Sequence, residues 1–95
     1  MTIRILMKRK VPEDKAEALR TLIDRLRVAA MDQPGYVSGE TLRSIDPPGT
    51  SLVISKWKSR EAWDRWFAAD QRGALHREID ELLGDRTEYE IYDFD

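Results

Sequence analysis

Apolar and polar residues alternate from the start of the chain: Ile3, Ile5 and Met7 share one parity, and Arg4, Leu6 and Lys8 take the other. A two-residue period rich in β-branched side chains predicts a strand over 3–9. The period then lengthens. Pro12, whose missing N–H costs nothing in a first turn, precedes Glu13 and Asp14, which suit the positive end of a helix. Ala16, Leu19, Leu22, Ile23, Leu26 and Ala30 follow at three- and four-residue steps, so a single amphipathic helix is expected over 12–32, ended by Pro34-Gly35. Val37, Thr41, Leu42 and Ile45 mark a weaker strand over 36–45, and Asp46-Pro47-Pro48-Gly49-Thr50 is turn chemistry. Leu52-Val53-Ile54-Ser55-Lys56-Trp57 is apolar on both faces at its start, as a central strand is. Ser59 caps a second helix carrying Ala62, Trp63, Trp66 and Phe67. A kink is expected at Gln71-Arg72-Gly73, before a stripe of Leu75, Ile79, Leu82 and Leu83 that runs to Gly84. Residues 87–94 alternate again.

Strand, helix, strand, strand, helix, strand is the α+β, ferredoxin-like βαββαβ arrangement, an antiparallel sheet with its helices on one face, in one domain over 1–95. In its usual strand order the first strand lies between the third and the fourth. Charge agrees with that order. Residues 1–27 hold eight basic groups against four acids, and residues 78–95 hold eight acids against Arg86 alone, so the two ends neutralise each other if their strands pair. The sheet face away from the helices keeps Leu6 and apolar groups of 52–57. Covering it with a symmetric copy predicts a homodimer.

Composition narrows the function. The chain has 95 residues, net charge -2, no cysteine and one histidine, His76. These exclude a disulfide framework, a thiolate nucleophile and a zinc site built from several histidines, and they argue against nucleic acid as a partner. The absence of a long apolar run or of a leader's apolar core predicts a cytoplasmic chain with no membrane partner. Neither a glycine-rich phosphate loop nor a G-x-S-x-G elbow occurs.

The informative stretch is 57–70, with three tryptophans and a phenylalanine inside eleven residues, followed by His76. Trp63 and Phe67 read first as core. Trp57 and Trp66 are large for so thin a domain, and each indole N–H needs a partner. Aromatics lining a gap between helix and sheet make a pocket for a flat apolar ligand, and His76, to one side of the Leu75/Ile79/Leu82 stripe, is placed to look into it. A hydrogen-bonded histidine without further role is the plainer alternative.

Pro12-Glu13-Asp14-Lys15, Pro34-Gly35-Tyr36 and, above all, Trp57-Lys58-Ser59-Arg60-Glu61-Ala62 resemble the antibiotic biosynthesis monooxygenase family of small dimeric α+β-barrel proteins. The resemblance spans nearly the whole chain. It implies a monooxygenase, an oxidoreductase with no obligatory cofactor, although one branch binds and degrades haem. That branch has a tryptophan on the second helix and an iron-binding histidine ten residues later, the spacing of Trp66 and His76. Where it places an asparagine on the first strand, this chain has Met7, which cannot donate the hydrogen bond an amide would. In the quinone-forming branch, aromatic and polar residues hold an electron-rich substrate while oxygen attacks. By this resemblance the catalytic residues are Trp66 and His76, the latter also the metal ligand if haem binds. Met7, Trp57, Trp63 and Phe67 form the substrate pocket for a planar aromatic or haem-like small molecule. A non-catalytic binding module is the alternative, and a chain whose tryptophans are only core is the third.

Overall fold

The computed structural model describes residues 2–94. Strand β1 (Ile3–Lys10) leads through a 3-10 turn (Glu13–Lys15) into helix α1 (Ala16–Met31). Strands β2 (Tyr36–Arg43) and β3 (Thr50–Trp57) follow, then helices α2 (Arg60–Phe67) and α3 (Asp70–Leu83), and finally β4 (Glu88–Asp93). The sheet is antiparallel throughout with order β2-β3-β1-β4, so the first strand does lie between the third and the fourth.

Register sorts the side chains into two faces. Ile3, Ile5, Met7 and Arg9 of β1, with Ser51, Val53, Ser55 and Trp57 of β3, are buried under the helices. Leu19, Ile23, Ala29 and Ala30 of α1 and Ile79 of α3 close the core from above. The charge split is resolved as expected: β1 pairs with β4, and Lys8 Nζ lies 3.1 Å from Glu90 Oε1. Both side chains are about 40% exposed, so the pair contributes little to stability.

Three expectations need correcting. The helix predicted over 12–32 opens as a separate 3-10 turn and becomes α-helical only at Ala16, because nothing caps its first turn: neither Pro12 nor Lys15 makes a side-chain cap bond. The break in the second helix falls at Ala68-Ala69, not at 71–73. Trp66 and Arg72 are both buried, yet six residues on an unbroken helix would set them about 120° apart. The extended backbone of Ala69 (ψ 137°) rephases the chain so that both turn inward, and Gly73 then sits in the first turn of α3, its N–H donating to Ala69 O. The second strand ends at Arg43, two residues early, and Ile45 is 88% exposed in the turn that follows.

Ser59 does cap α2, its hydroxyl accepting from the Ala62 N–H at 3.1 Å. Gly35, at φ +91°, lets the loop after α1 press against that same turn: a Cβ there would stand 2.5 Å from the Ala62 Cβ.

Candidate functional site

The tryptophans meet where α1, α2 and α3 cross the inner face of the sheet. Trp57 ends β3 and has no exposed surface. Trp63 and Trp66, one helical turn apart on α2, are 3% and 4% exposed. Trp57 stands edge-on to Tyr36 (centroids 5.4 Å apart) and to Trp63 (5.8 Å), and is nearly parallel to Trp66 at 6.4 Å. Its indole N–H donates to Ser55 Oγ at 3.1 Å, which resolves the difficulty of burying so large a polar-tipped ring. Trp57 and Trp66 are therefore more deeply buried than their size alone suggests, while Phe67, read as core, is 47% exposed.

Beneath these rings lies a narrow cleft, open at its mouth. Its apolar walls are Met7, Val53 and Trp57 from the sheet, Ile23, Leu26 and Ala30 from α1, and Trp63 and Trp66 from α2. Tyr36 and Arg27 border it on the β2 side. Gly39 makes room there, since a Cβ at that position would come within 2.7 Å of the Tyr36 hydroxyl. Five of the six residues singled out from sequence, Met7, Trp57, Trp63, Trp66 and His76, share this cleft; Phe67 does not line it. Phe67 packs instead against Trp63 and Tyr89 and under the Arg72 guanidinium, 4.3 Å from its ring centroid.

The polar end of the cleft is the part that periodicity did not reveal. Arg9, Arg72 and His76 line it, and Asp80, Thr87 and Tyr89 stand behind. His76 Nε2 is 2.8 Å from the Tyr89 hydroxyl and 3.2 Å from Thr87 Oγ1, and Nδ1 is 3.3 Å from Asp80 Oδ2. A carboxylate oxygen accepts only, so Nδ1 carries the proton and the Nε2 lone pair accepts from the hydroxyls. Tyr89 in turn accepts from an Arg72 Nη, and Thr87 accepts from Arg9 Nε at 3.0 Å.

Burial, and then the Arg72 charge, push the His76 imidazole below its ordinary value of 6.5, against the pull of Asp80. It is thus a neutral base at pH 7. Burial also raises the Tyr89 phenol despite Arg72 beside it, and depresses the Arg9 guanidinium. Asp80 Oδ1 is buried without a hydrogen-bond partner. Parity held a signal for Arg9, which continues the Ile3/Ile5/Met7 face, and for Tyr89, which shares a face with Ile91 in the last alternating segment; nothing along the chain marked Arg72 or Thr87 as part of a site.

Both His76 nitrogens are thus occupied. A ligand atom or a proton arriving at Nε2 would displace the hydrogen bonds from Tyr89 and Thr87, and the Met7 thioether in the cleft wall donates no hydrogen bond. Among the described residues no group of three or more His, Asp or Glu side chains is placed to hold a metal ion, and no helix is long and apolar enough to cross a membrane.

Comparison with known proteins follows the same lines. The family model described as antibiotic biosynthesis monooxygenase matches residues 2–78, stopping short of Thr87 and Tyr89. No curated protein matches the sequence. Among solved structures, a conserved protein of Methanosarcina mazei Go1 superposes with a TM-score of 0.91 at 20% identity, covering 100% of this chain and 94% of the other. Rv0793 from Mycobacterium tuberculosis gives 0.84 at 19%, covering 98% and 94%. SnoaB, a cofactor-independent oxygenase from Streptomyces nogalater, gives 0.86 at 19%, covering 99% and 93%. At these identities the likeness is one of fold.

Proposed function

The chain belongs to the antibiotic biosynthesis monooxygenase family, and from that premise we propose that it is a cofactor-independent oxygenase acting on a flat, electron-rich phenolic aromatic held in the cleft that Met7, Trp57, Trp63 and Trp66 wall. One observation carries the reading: an indole-walled cleft ends at a neutral imidazole whose other nitrogen faces a carboxylate. A phenol ring in the cleft would lie against the Trp66 indole with its hydroxyl toward His76. Among the described residues that line the cleft, His76 is the only imidazole and there is no carboxylate, so it is the natural proton acceptor there. Taking the phenol proton onto Nε2, in place of the hydrogen bonds from Tyr89 and Thr87, leaves an electron-rich phenolate open to dioxygen at the para carbon. The balance closes without another reductant: a phenol with a free para C–H plus O2 gives a quinone plus water, with one oxygen atom on the ring, the other in water, and all four electrons from the substrate. SnoaB, described as a cofactor-independent oxygenase, shows this fold in such a protein.

Aerobic incubation with 1-naphthol, following oxygen uptake and quinone absorbance, is the test. One quinone formed per O2 consumed, unchanged by EDTA, is the expected result; no uptake with any mono- or dihydroxynaphthalene overturns the reading. Haem is the other candidate occupant, and a Soret shift that His76→Ala abolishes would replace the phenolic substrate with it.

The same proposal includes a homodimer through the outer sheet face. Leu42 pairs with Leu52, and Ile54 with Leu6, giving one apolar patch across β2, β3 and β1, ringed by Glu40, Glu90 and Lys8. Leu42 is 45% exposed in the single chain. Light scattering should report twice the 11.1 kDa protomer mass, and Ile54→Lys should give the single mass. A wild-type monomer at tens of micromolar sinks the dimer.

A further inference from the structure

We propose that the ligand carries a carboxylate as well as a flat aromatic body, and that Arg9 and Arg72 are its anchor at the polar end of the cleft. This rests on the reading of the cleft as a binding site and adds the substrate's charge to it.

Two arginines line an otherwise apolar cleft, and both are buried, with 3% and 6% of their surface exposed. Among the described residues neither forms an ion pair with a carboxylate. Among the described residues Arg9 makes one side-chain hydrogen bond, from Nε to Thr87 Oγ1, and its terminal nitrogens have no protein acceptor while keeping some contact with the open cleft. Arg72 spends Nη2 on the Tyr89 hydroxyl and Nη1 on a long 3.5 Å contact with Phe67 O, and its planar face lies among the rings of Phe67, Tyr89 and Trp63. Those rings soften the cost of burying Arg72; Arg9 has no comparable contact.

Asp80, the nearby acid, is turned to His76, which is neutral. The cluster therefore holds two cations against one carboxylate. An uncompensated buried charge is among the costliest features a small fold can keep, and sites that break the ordinary rules in this way are where ligands bind. The guanidinium is a planar fork of donors matched to a carboxylate, and a planar carboxylate continues a flat ring system into a narrow slot. Arg9 lies two residues beyond Met7 on the same strand face, so a ring over Met7 presents its substituent toward Arg9.

The test uses 2-naphthoate and its neutral isostere 2-naphthamide, with affinities measured by calorimetry on the full chain. The wild type should bind the acid about tenfold more tightly than the amide, the effect of one charge-assisted hydrogen bond in a buried site. Arg9→Gln should bring that ratio close to one, and Arg9→Lys should keep part of the preference. If Arg9→Gln does not fold, the wild-type ratio together with Arg9→Lys and Arg72→Gln decides.

Equal affinities in the wild type, or a preference that survives both Arg9→Gln and Arg72→Gln, overturn the inference while the binding cleft stands. Haem against its dimethyl ester separates the two sources of such an acid: an Arg9-dependent preference for haem without naphthoate binding keeps the anchor and makes the ligand a tetrapyrrole. No binding by any of these ligands removes the cleft reading, and the carboxylate with it.

Discussion

Replacing Trp57 by alanine should cost about 3–5 kcal/mol of folding stability, as truncation of a fully buried aromatic does. Trp57 has no solvent exposure, and its ring is in contact with Tyr36, Trp63 and Trp66, so the cavity left behind is walled by rings that cannot collapse into it. The Ser55 hydroxyl loses its donor in the same step. A domain of this size has only about 5–15 kcal/mol to lose, and much of the folded population should disappear near physiological temperature. Urea denaturation followed by circular dichroism checks this, with Trp57→Phe expected to recover most of the loss. A cost under about 1 kcal/mol would show that the tryptophan cluster is loosely packed and that the cleft floor is not rigid.

His76→Ala should lower oxygenation by a factor of about 10² to 10⁴, the usual contribution of a positioned general base, without a matching loss of naphthoate binding. The acid limb of kcat/KM should fall below the ordinary histidine value of 6.5, because burial and Arg72 disfavour the imidazolium. The base is competent while neutral, so activity is lost as pH drops through the lowered pKa and is full above it. Stability carries the same sign. Between 6.5 and the folded value the unfolded chain binds a proton that the folded chain does not, so this group's contribution falls as pH falls across that window and is absent from His76→Gln. Tyr89→Phe keeps the ring against His76 but removes the hydroxyl between Nε2 and Arg72, with a smaller loss of about tenfold expected. A limb at or above 6.5, or one that persists in His76→Ala, would remove His76 from the chemistry.

Hydrophobic period and turn residues were enough for the order of elements. The Ile3/Ile5/Met7 parity, the three- and four-residue steps of α1 and the Ser59 cap are local signals, each legible within a few residues. The strand order followed because few ways of joining six such elements bury the apolar face of each helix against one face of the sheet. Boundaries were less secure: where the second helix breaks depends on Trp66 and Arg72 both needing to face the sheet, a requirement that spacing along the helix does not express.

The site divided in the same way. Trp57, Trp63, Trp66, His76 and Met7 were visible as residue types suited to a flat ligand, and the fold gathers all five at one cleft, with Phe67 left outside. Arg9, Arg72, Thr87 and Tyr89 were not visible as a group, because the cluster joins the end of β1, the first turn of α3 and the start of β4, up to 80 residues apart in the chain.

Local periodicity thus settles which faces are apolar and in what sequence the elements come, since both depend on neighbours a turn or two away. Which charges share a buried space, and which proton a lone histidine holds, depend on distances across the sheet that exist only once β4 has paired with β1.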